Sequence, residues 1–335
     1  MIQIVGAITA GAAALGGAGL TAVGNALFDF ALNPSSKRSI MARINSGEGS
    51  GLDVGAYAQD PFRQEARAWF LEARRDATVE AARGGGVLHG WRIWGPGVVP
   101  SDDGRRSPES PDTAHRYLIL CHGYSGQPSD LAGEAMLAHR AGFSVILPAA
   151  RGHERNRDRY VGMGWLDAFD LMRWIQMIVT FDPEAKIALY GVSMGAAEVM
   201  MASGLDLPPQ VRCIVEDCGY TSVWDELAQQ MGDLMHLPVH PLLDAAERVC
   251  RVRAGYGFRE ASAVDRLRRA RVPMLFIHGT ADTFVPYRML DELYDACASE
   301  VKEKVSFEGA GHGASSQSDP GRYWETVSGF LFRYL

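Results

Sequence analysis

From residue 87 onward the apolar positions fall in short continuous runs separated by longer amphipathic stretches. Val87 to Trp94, Tyr117–Cys121, Phe143–Leu147, residues 185–190, Val211–Val215, Met274–Ile277 and Val305–Phe307 read as strands. Between them, residues 129–141, Trp165 to Val179, Ala196–Met201, Met289 to Ala298 and Tyr323 to Tyr334 carry apolar residues at helical spacing. Strands so uniformly apolar are buried on both faces. The alternation therefore predicts an α/β fold, a mostly parallel central sheet flanked by helices.

One stretch breaks this rhythm. Residues 220–265 are longer than a crossover helix needs, and Trp224, Leu227, Met231, Leu234, Met235, Leu242 and Leu243 recur at helical spacing, interrupted by Pro238 and Pro241. They predict a small helical cap insertion over the strand ends.

Upstream, Asp60-Pro61 offers an N-cap with proline at the first helical position. The helix it starts places Phe62, Ala66, Trp69 and Phe70 on one face and is expected to stop at Gly84-Gly85-Gly86. Ser35-Ser36 is positioned to cap a short helix through Met41-Ala42-Arg43. Before Asp29 there is no Asp, Glu, Lys or Arg, and residues 1–28 are rich in Ala and Gly. Such a segment is long enough to span a bilayer, and the same composition also suits a helix packed on the domain. A cleaved signal fits less well, because no basic region opens it. If it spans, Lys37, Arg38 and Arg43 follow it, so the rest of the chain is cytoplasmic and membrane-associated; if it packs, the chain is simply cytoplasmic. The expected organisation is an apolar N-terminal helix over 1–30, a helical segment over 31–86, the α/β domain over 87–219 and 266–335, and the cap over 220–265.

Charge and composition narrow the partners. Across 335 residues the net charge is −7, which argues against nucleic acid, since phosphate binding needs a basic face. The five cysteines are scattered and odd in number, so neither a disulfide framework nor a zinc ribbon is implied. His236 and His240 are four apart, but Pro238 and Pro241 spoil the helix a zinc pair needs. No H-E-x-x-H or Walker A sequence occurs, and Gly16-Gly17-Ala18-Gly19 follows no strand of a βαβ unit. The expectation is no metal and no cofactor.

The chemistry is concentrated at three strand ends. Gly191-Val192-Ser193-Met194-Gly195 lies between a strand and a helix, the context of a nucleophile elbow. A serine hydroxyl is a weak nucleophile and needs a base held by an acid. Asp282 follows the strand ending in Ile277-His278-Gly279, and His312 lies in Gly309-Ala310-Gly311-His312-Gly313 past the last strand. The order Ser, Asp, His is the one this motif requires. All three should emerge at the carboxyl edge of one parallel sheet. Asp217 is an alternative acid and His153 an alternative base, each also just past a strand. Backbone N–H groups of Met194 and Tyr124, the latter in His122-Gly123-Tyr124-Ser125-Gly126, are the candidate donors to an oxyanion. His122 is expected to hold the geometry of that loop, and His278 to pack a loop. Trp224, Met231 and Met235 in the cap are the candidate substrate contacts.

Taken together, His122-Gly123-Tyr124, Gly191 to Gly195, His278 to Asp282 and Gly311-His312 resemble the α/β-hydrolase superfamily from about residue 87 to the C-terminus. Gly164-Trp165-Leu166-Asp167 and Glu216 to Ser222 add to a likeness to bacterial esterase- or lipase-type members carrying an apolar N-terminal segment. The resemblance implies a serine hydrolase with a cap, no cofactor and a small-molecule ester substrate. Carboxylesterase is the leading expectation, with a peptidase, a thioesterase or a non-catalytic binding protein on the same fold as the alternatives.

Overall fold

Apolar runs build the centre of the molecule. The computed structural model describes residues 16–36, 39, 60–84, 86–107, 109, 111, 115–233 and 236–335. Helix α1 (Gly16–Leu32) comes first, and α2 (Pro61–Ala73) leads into β1 (Arg75–Glu80) and β2 (Val87–Ile93). Next come β3 (Arg116–Cys121), α3 (Ala132–Arg140), β4 (Ser144–Pro148), α4 (Trp165–Phe181), β5 (Lys186–Val192), α5 (Met194–Ser203) and β6 (Val211–Asp217). Three helices, α6 (Val223–Asp233), α7 (Leu242–Arg253) and α8 (Ala263–Leu267), precede β7 (Met274–Gly279). The chain closes with α9 (Arg288–Ala296), β8 (Lys302–Phe307), the short α10 (Ser315–Ser318) and α11 (Pro320–Tyr334).

The strands form one sheet in the order β1-β2-β4-β3-β5-β6-β7-β8. β3 to β8 run parallel, and β1 and β2 add an antiparallel margin. The expected mostly parallel sheet is what forms. Its inner strands are buried along their whole length, as in Ser144–Pro148 and Met274–Gly279. Two apolar clusters cover its two faces, one holding Ile119, Leu189 and Phe276, the other Leu118, Tyr190 and Leu275. Side chains alternate across the sheet, so neighbours in one strand belong to opposite layers.

One expectation upstream needs correction. The helix that starts with Asp60 accepting from the Phe62 N–H ends at Ala73, not at Gly84 to Gly86. Arg74 is already extended, and Arg75–Glu80 is an edge strand paired residue by residue with β2. Its charged residues Arg75, Asp76 and Glu80 suit a solvent-facing edge and hide the strand pattern. The short helix expected through Met41 to Arg43 lies outside the described residues.

Of the apolar N-terminus, residues 1–15 lie outside the described residues. Helix α1 packs against α7. A Cβ on Gly24 would sit 2.7 Å from the Ala245 carbonyl carbon, so the glycine allows the two backbones to approach closely. Arg253 at the end of α7 donates to Asn25 Oδ1 and Asp29 Oδ1 at 3.1 and 2.7 Å, and Phe28 meets Tyr160 edge-on. Phe28 and Leu32 are fully buried. Among the described residues, no helix is long and apolar enough to cross a membrane. Gly24 thus serves the packing of α1 on α7.

Several acids are buried under the carboxyl edge of the sheet. Glu216, at the end of β6, has no exposed surface. Burial pushes its carboxyl up to about 8, against the opposing pull of His278 and the Gly219 N–H. A carboxyl raised in the folded state favours the fold most below its unfolded value, 4.5, and that contribution is lost as pH rises through about 8. Glu216→Gln should therefore be stabilised relative to the parent above pH 8 and lose that advantage in mild acid. Urea unfolding of both proteins across this range measures the difference; parallel curves would contradict it.

Candidate active site

Steric necessity builds the site at Ser193. The serine adopts φ 58° and ψ −115°, a strained backbone for a residue with a side chain. It is held by its N–H donating to the Asp217 carbonyl at 2.8 Å and by its carbonyl accepting from Ala197 N–H at 3.0 Å. A Cβ on Gly195 would lie 2.1 Å from the Cys121 carbonyl oxygen, and one on Gly191 would lie 2.1 Å from that of Gly195. No side chain fits at either position, so the glycines of the motif are fixed by backbone contact with β3 and α5.

His312, from the loop after β8, points Nε2 to Ser193 Oγ at 2.8 Å and Nδ1 to Asp282 Oδ2 at 2.8 Å. Asp282 follows β7, where a Cβ on Gly279 would run into the Ala310 carbonyl oxygen at 2.3 Å. That close approach brings the β7 and β8 loops together. Asp282 Oδ1 accepts from the Phe284 and Val285 N–H groups, both at 2.9 Å, which leaves Oδ2 facing the imidazole. Burial works to raise the Asp282 carboxyl, but hydrogen bonds from His278 and His312 overcome it and hold the group at about 2. The three residues expected to meet do meet.

The alternatives are engaged elsewhere. Asp217 accepts from Ser315 Oγ at 3.1 Å and from Tyr323 OH at 2.8 Å. His153 aims its two nitrogens at the carbonyl oxygens of Arg151 and Tyr124.

On the opposite side of Ser193 lies the loop after β3. Gly123 approaches so closely that a Cβ there would be 3.4 Å from Ser193 Cβ. His122 faces the Gly123 carbonyl oxygen through Nδ1 at 2.8 Å and accepts the Ala150 N–H at Nε2, 3.1 Å away. Accepting at Nε2 fixes the proton on Nδ1, so the Nδ1–H donates to Gly123. Burial, with His153 nearby, lowers the His122 imidazole to about 3 and keeps this neutral form. The Tyr124 hydroxyl donates to the Ala31 carbonyl at the end of α1. Met194 is the first residue of α5, where a helix N–H has no intrahelical acceptor.

The cap residues singled out by spacing lie differently. The Arg259 guanidinium covers the Trp224 ring, with its Cζ 3.1 Å from the ring centroid, and His240 lies alongside at 5.7 Å. Met231 is buried in the apolar cluster that the cap shares with the sheet, and its carbonyl accepts from Leu237 N–H. Neither has a described contact with Ser193 or His312, and Met235 lies outside the described residues. Phe284 went unrecognised in the sequence, and His278 was expected only to pack a loop. Phe284 lies against the His312 ring, centroids 4.9 Å apart. His278, fully buried, brings Nε2 to 3.3 Å from Asp282 Oδ2 and 2.9 Å from the Val285 carbonyl. Its spacing of four from Asp282 was the available signal, but the contact depends on the shape of the intervening turn.

Comparison with known proteins agrees with this architecture. The family described as "Serine aminopeptidase, S33" matches residues 241–319. The uncharacterized protein YqkD of Bacillus subtilis is 25% identical over 244 residues, which cover 72% of this chain and 76% of YqkD. Among solved structures, the Pyrococcus furiosus esterase Pf2001 superposes with a TM-score of 0.58 at 21% identity, covering 78% of this chain and 92% of that one. The Pyrococcus horikoshii acylaminoacyl peptidase does so with a TM-score of 0.54 at 16% identity, covering 78% of this chain and 42% of that one. With its mostly parallel sheet flanked by helices, its strand–serine–helix turn and these likenesses, the chain has the α/β-hydrolase fold.

Proposed function

We propose that this protein is a serine hydrolase that cleaves carboxylic esters through an acyl-enzyme on Ser193. The observation that carries the reading is the continuous pair of 2.8 Å contacts from Ser193 Oγ through His312 to Asp282. His312 Nε2 takes the hydroxyl proton as Oγ attacks the carbonyl carbon. The imidazolium so formed is stabilised by the Asp282 carboxylate and then protonates the leaving alcohol. Water repeats the sequence in reverse order to release the acid.

The negative oxygen of each tetrahedral intermediate is received by the N–H groups of Met194 and Tyr124. The Tyr124 N–H belongs to the same planar peptide as the Gly123 carbonyl. A hydrogen bond from His122 that fixes this carbonyl therefore also fixes the direction in which the N–H points. In this reading His122 is a positioning residue, and His278 plays the same part for Asp282.

A peptidase reading draws on the aminopeptidase family match and on the acylaminoacyl peptidase likeness. The esterase likeness spans nearly all of its counterpart, whereas the peptidase likeness spans less than half, which favours the ester. Comparing the ester and amide of one acyl group separates the two, with the ester expected to turn over and the amide not.

Ser193→Ala should reduce turnover of a p-nitrophenyl ester by roughly 10³–10⁶-fold; retained turnover would refute the assignment. Asp282→Asn, which keeps the shape of the side chain, should lower kcat on the order of 10⁴-fold on the same ester. His122→Leu should lower kcat about 10²-fold while KM changes little, because the displaced donor acts on the transition state. A rise in KM at constant kcat would instead place His122 in ground-state binding.

A further inference from the structure

Cys218 lies beside His312 and Asp282 and takes no part in the proposed reaction. It follows Asp217 at the end of β6, in the left-handed region with φ 53°, and is fully buried. Strained backbone of this kind persists when its surroundings over-determine it. Here the Cys218 N–H donates to the Ile277 carbonyl at 2.9 Å, and the Gly313 N–H, next to His312, points at the sulfur. The outcome is that Cys218 Sγ, an Asp282 carboxylate oxygen and a His312 ring nitrogen all lie within 4.8 Å of one another.

We infer that Cys218, Asp282 and His312 form an inhibitory site for a thiophilic divalent cation such as Zn²⁺. The inference rests on the reading of His312 and Asp282 as base and acid. One sulfur, one nitrogen and one oxygen make a donor set suited to zinc and poorly suited to magnesium or calcium, which take oxygen. In tetrahedral zinc sites, metal–ligand lengths of about 2.0–2.3 Å put donors roughly 3.3–3.8 Å apart. Small side-chain adjustments bring the present spacing into that range. The charge also balances: thiolate and carboxylate together neutralise the divalent ion in a buried place where a residual charge would be costly. Coordination expels the thiol proton to solvent, and the His312 ring proton moves from Nδ1 to Nε2, so that Nδ1 binds as a neutral ligand and Nε2 can no longer accept the Ser193 proton. The partly exposed His312 gives the ion its entry, and a fourth position remains for water. The imidazole so held has lost the carboxylate partner that supports its positive charge, and ester hydrolysis stops.

The test uses the full chain with zinc chloride in the assay and cobalt chloride as a spectroscopic stand-in. Micromolar zinc should inhibit the parent protein, with recovery on adding EDTA. Cys218→Ala, which removes a ligand that takes no part in the proposed reaction, should remain active and need at least about tenfold more zinc for the same inhibition. Cobalt should give a thiolate-to-metal charge-transfer absorption in the parent and in Ser193→Ala, and none in Cys218→Ala. Because this absorption does not depend on turnover, it decides the site even if Ser193 is not the nucleophile or if Cys218→Ala folds poorly. No such absorption in the parent, or equal zinc sensitivity of Cys218→Ala, would overturn the inference.

Discussion

Backbone passes backbone at the turn after β5 so closely that two residues there must lack a side chain. Gly195 lies against the Cys121 carbonyl and Gly191 against the Gly195 carbonyl, each where a Cβ would be 2.1 Å from oxygen. This contact seats α5 directly on the end of β3. It also forces Ser193 into its left-handed conformation, lifts the hydroxyl above the sheet edge and leaves the Met194 N–H at a free helix start. The same device recurs two strands along the sheet, where Gly279 makes room for the Ala310 carbonyl and brings the Asp282 and His312 loops together. The site is thus set by steric contacts among strand ends, and the hydrogen bonds follow from them.

Electrostatics divide the buried acids by their partners. Asp282 has two imidazoles and two backbone N–H groups around it and stays ionised despite burial. Glu216, one strand over, keeps one oxygen on the Gly219 N–H, while its other oxygen and His278 Nδ1 have no hydrogen-bond partner. Its carboxyl is accordingly raised, as is that of Glu226 in α6, which burial pushes up to about 8. Carboxyls close to the strand ends are therefore pushed in opposite directions, Asp282 towards its ionised form and Glu216 towards its neutral acid. That difference is what lets one of them support a cationic imidazole.

Much of this was legible in the sequence because the parallel strands are apolar on both sides and end where the chemistry begins. Ser193, Asp282 and His312 could be placed by counting strands, since each follows one directly. β1 was hidden because a charged edge strand shows no clean alternation, and the helix before it reads as continuing. The Gly- and Ala-rich stretch before Asp29 was ambiguous for a physical reason: low charge and small side chains suit lipid and a closely packed helix equally. Over residues 16–32 the structure shows the packed helix, with Gly24 against Ala245. Trp224 and Met231 show the limit of helical periodicity, which identifies a buried face without saying what covers it. In Trp224 the cover is Arg259.

The claim at the centre is that Ser193 is the nucleophile. The most direct measurement is mass spectrometry of the full chain after reaction with a fluorophosphonate, followed by peptide mapping of the adduct. The account predicts one phosphonyl group per chain, on the peptide containing Ser193, formed in step with loss of ester hydrolysis. An adduct on another residue, or an unlabelled Ser193 in a protein that still hydrolyses esters, would contradict it.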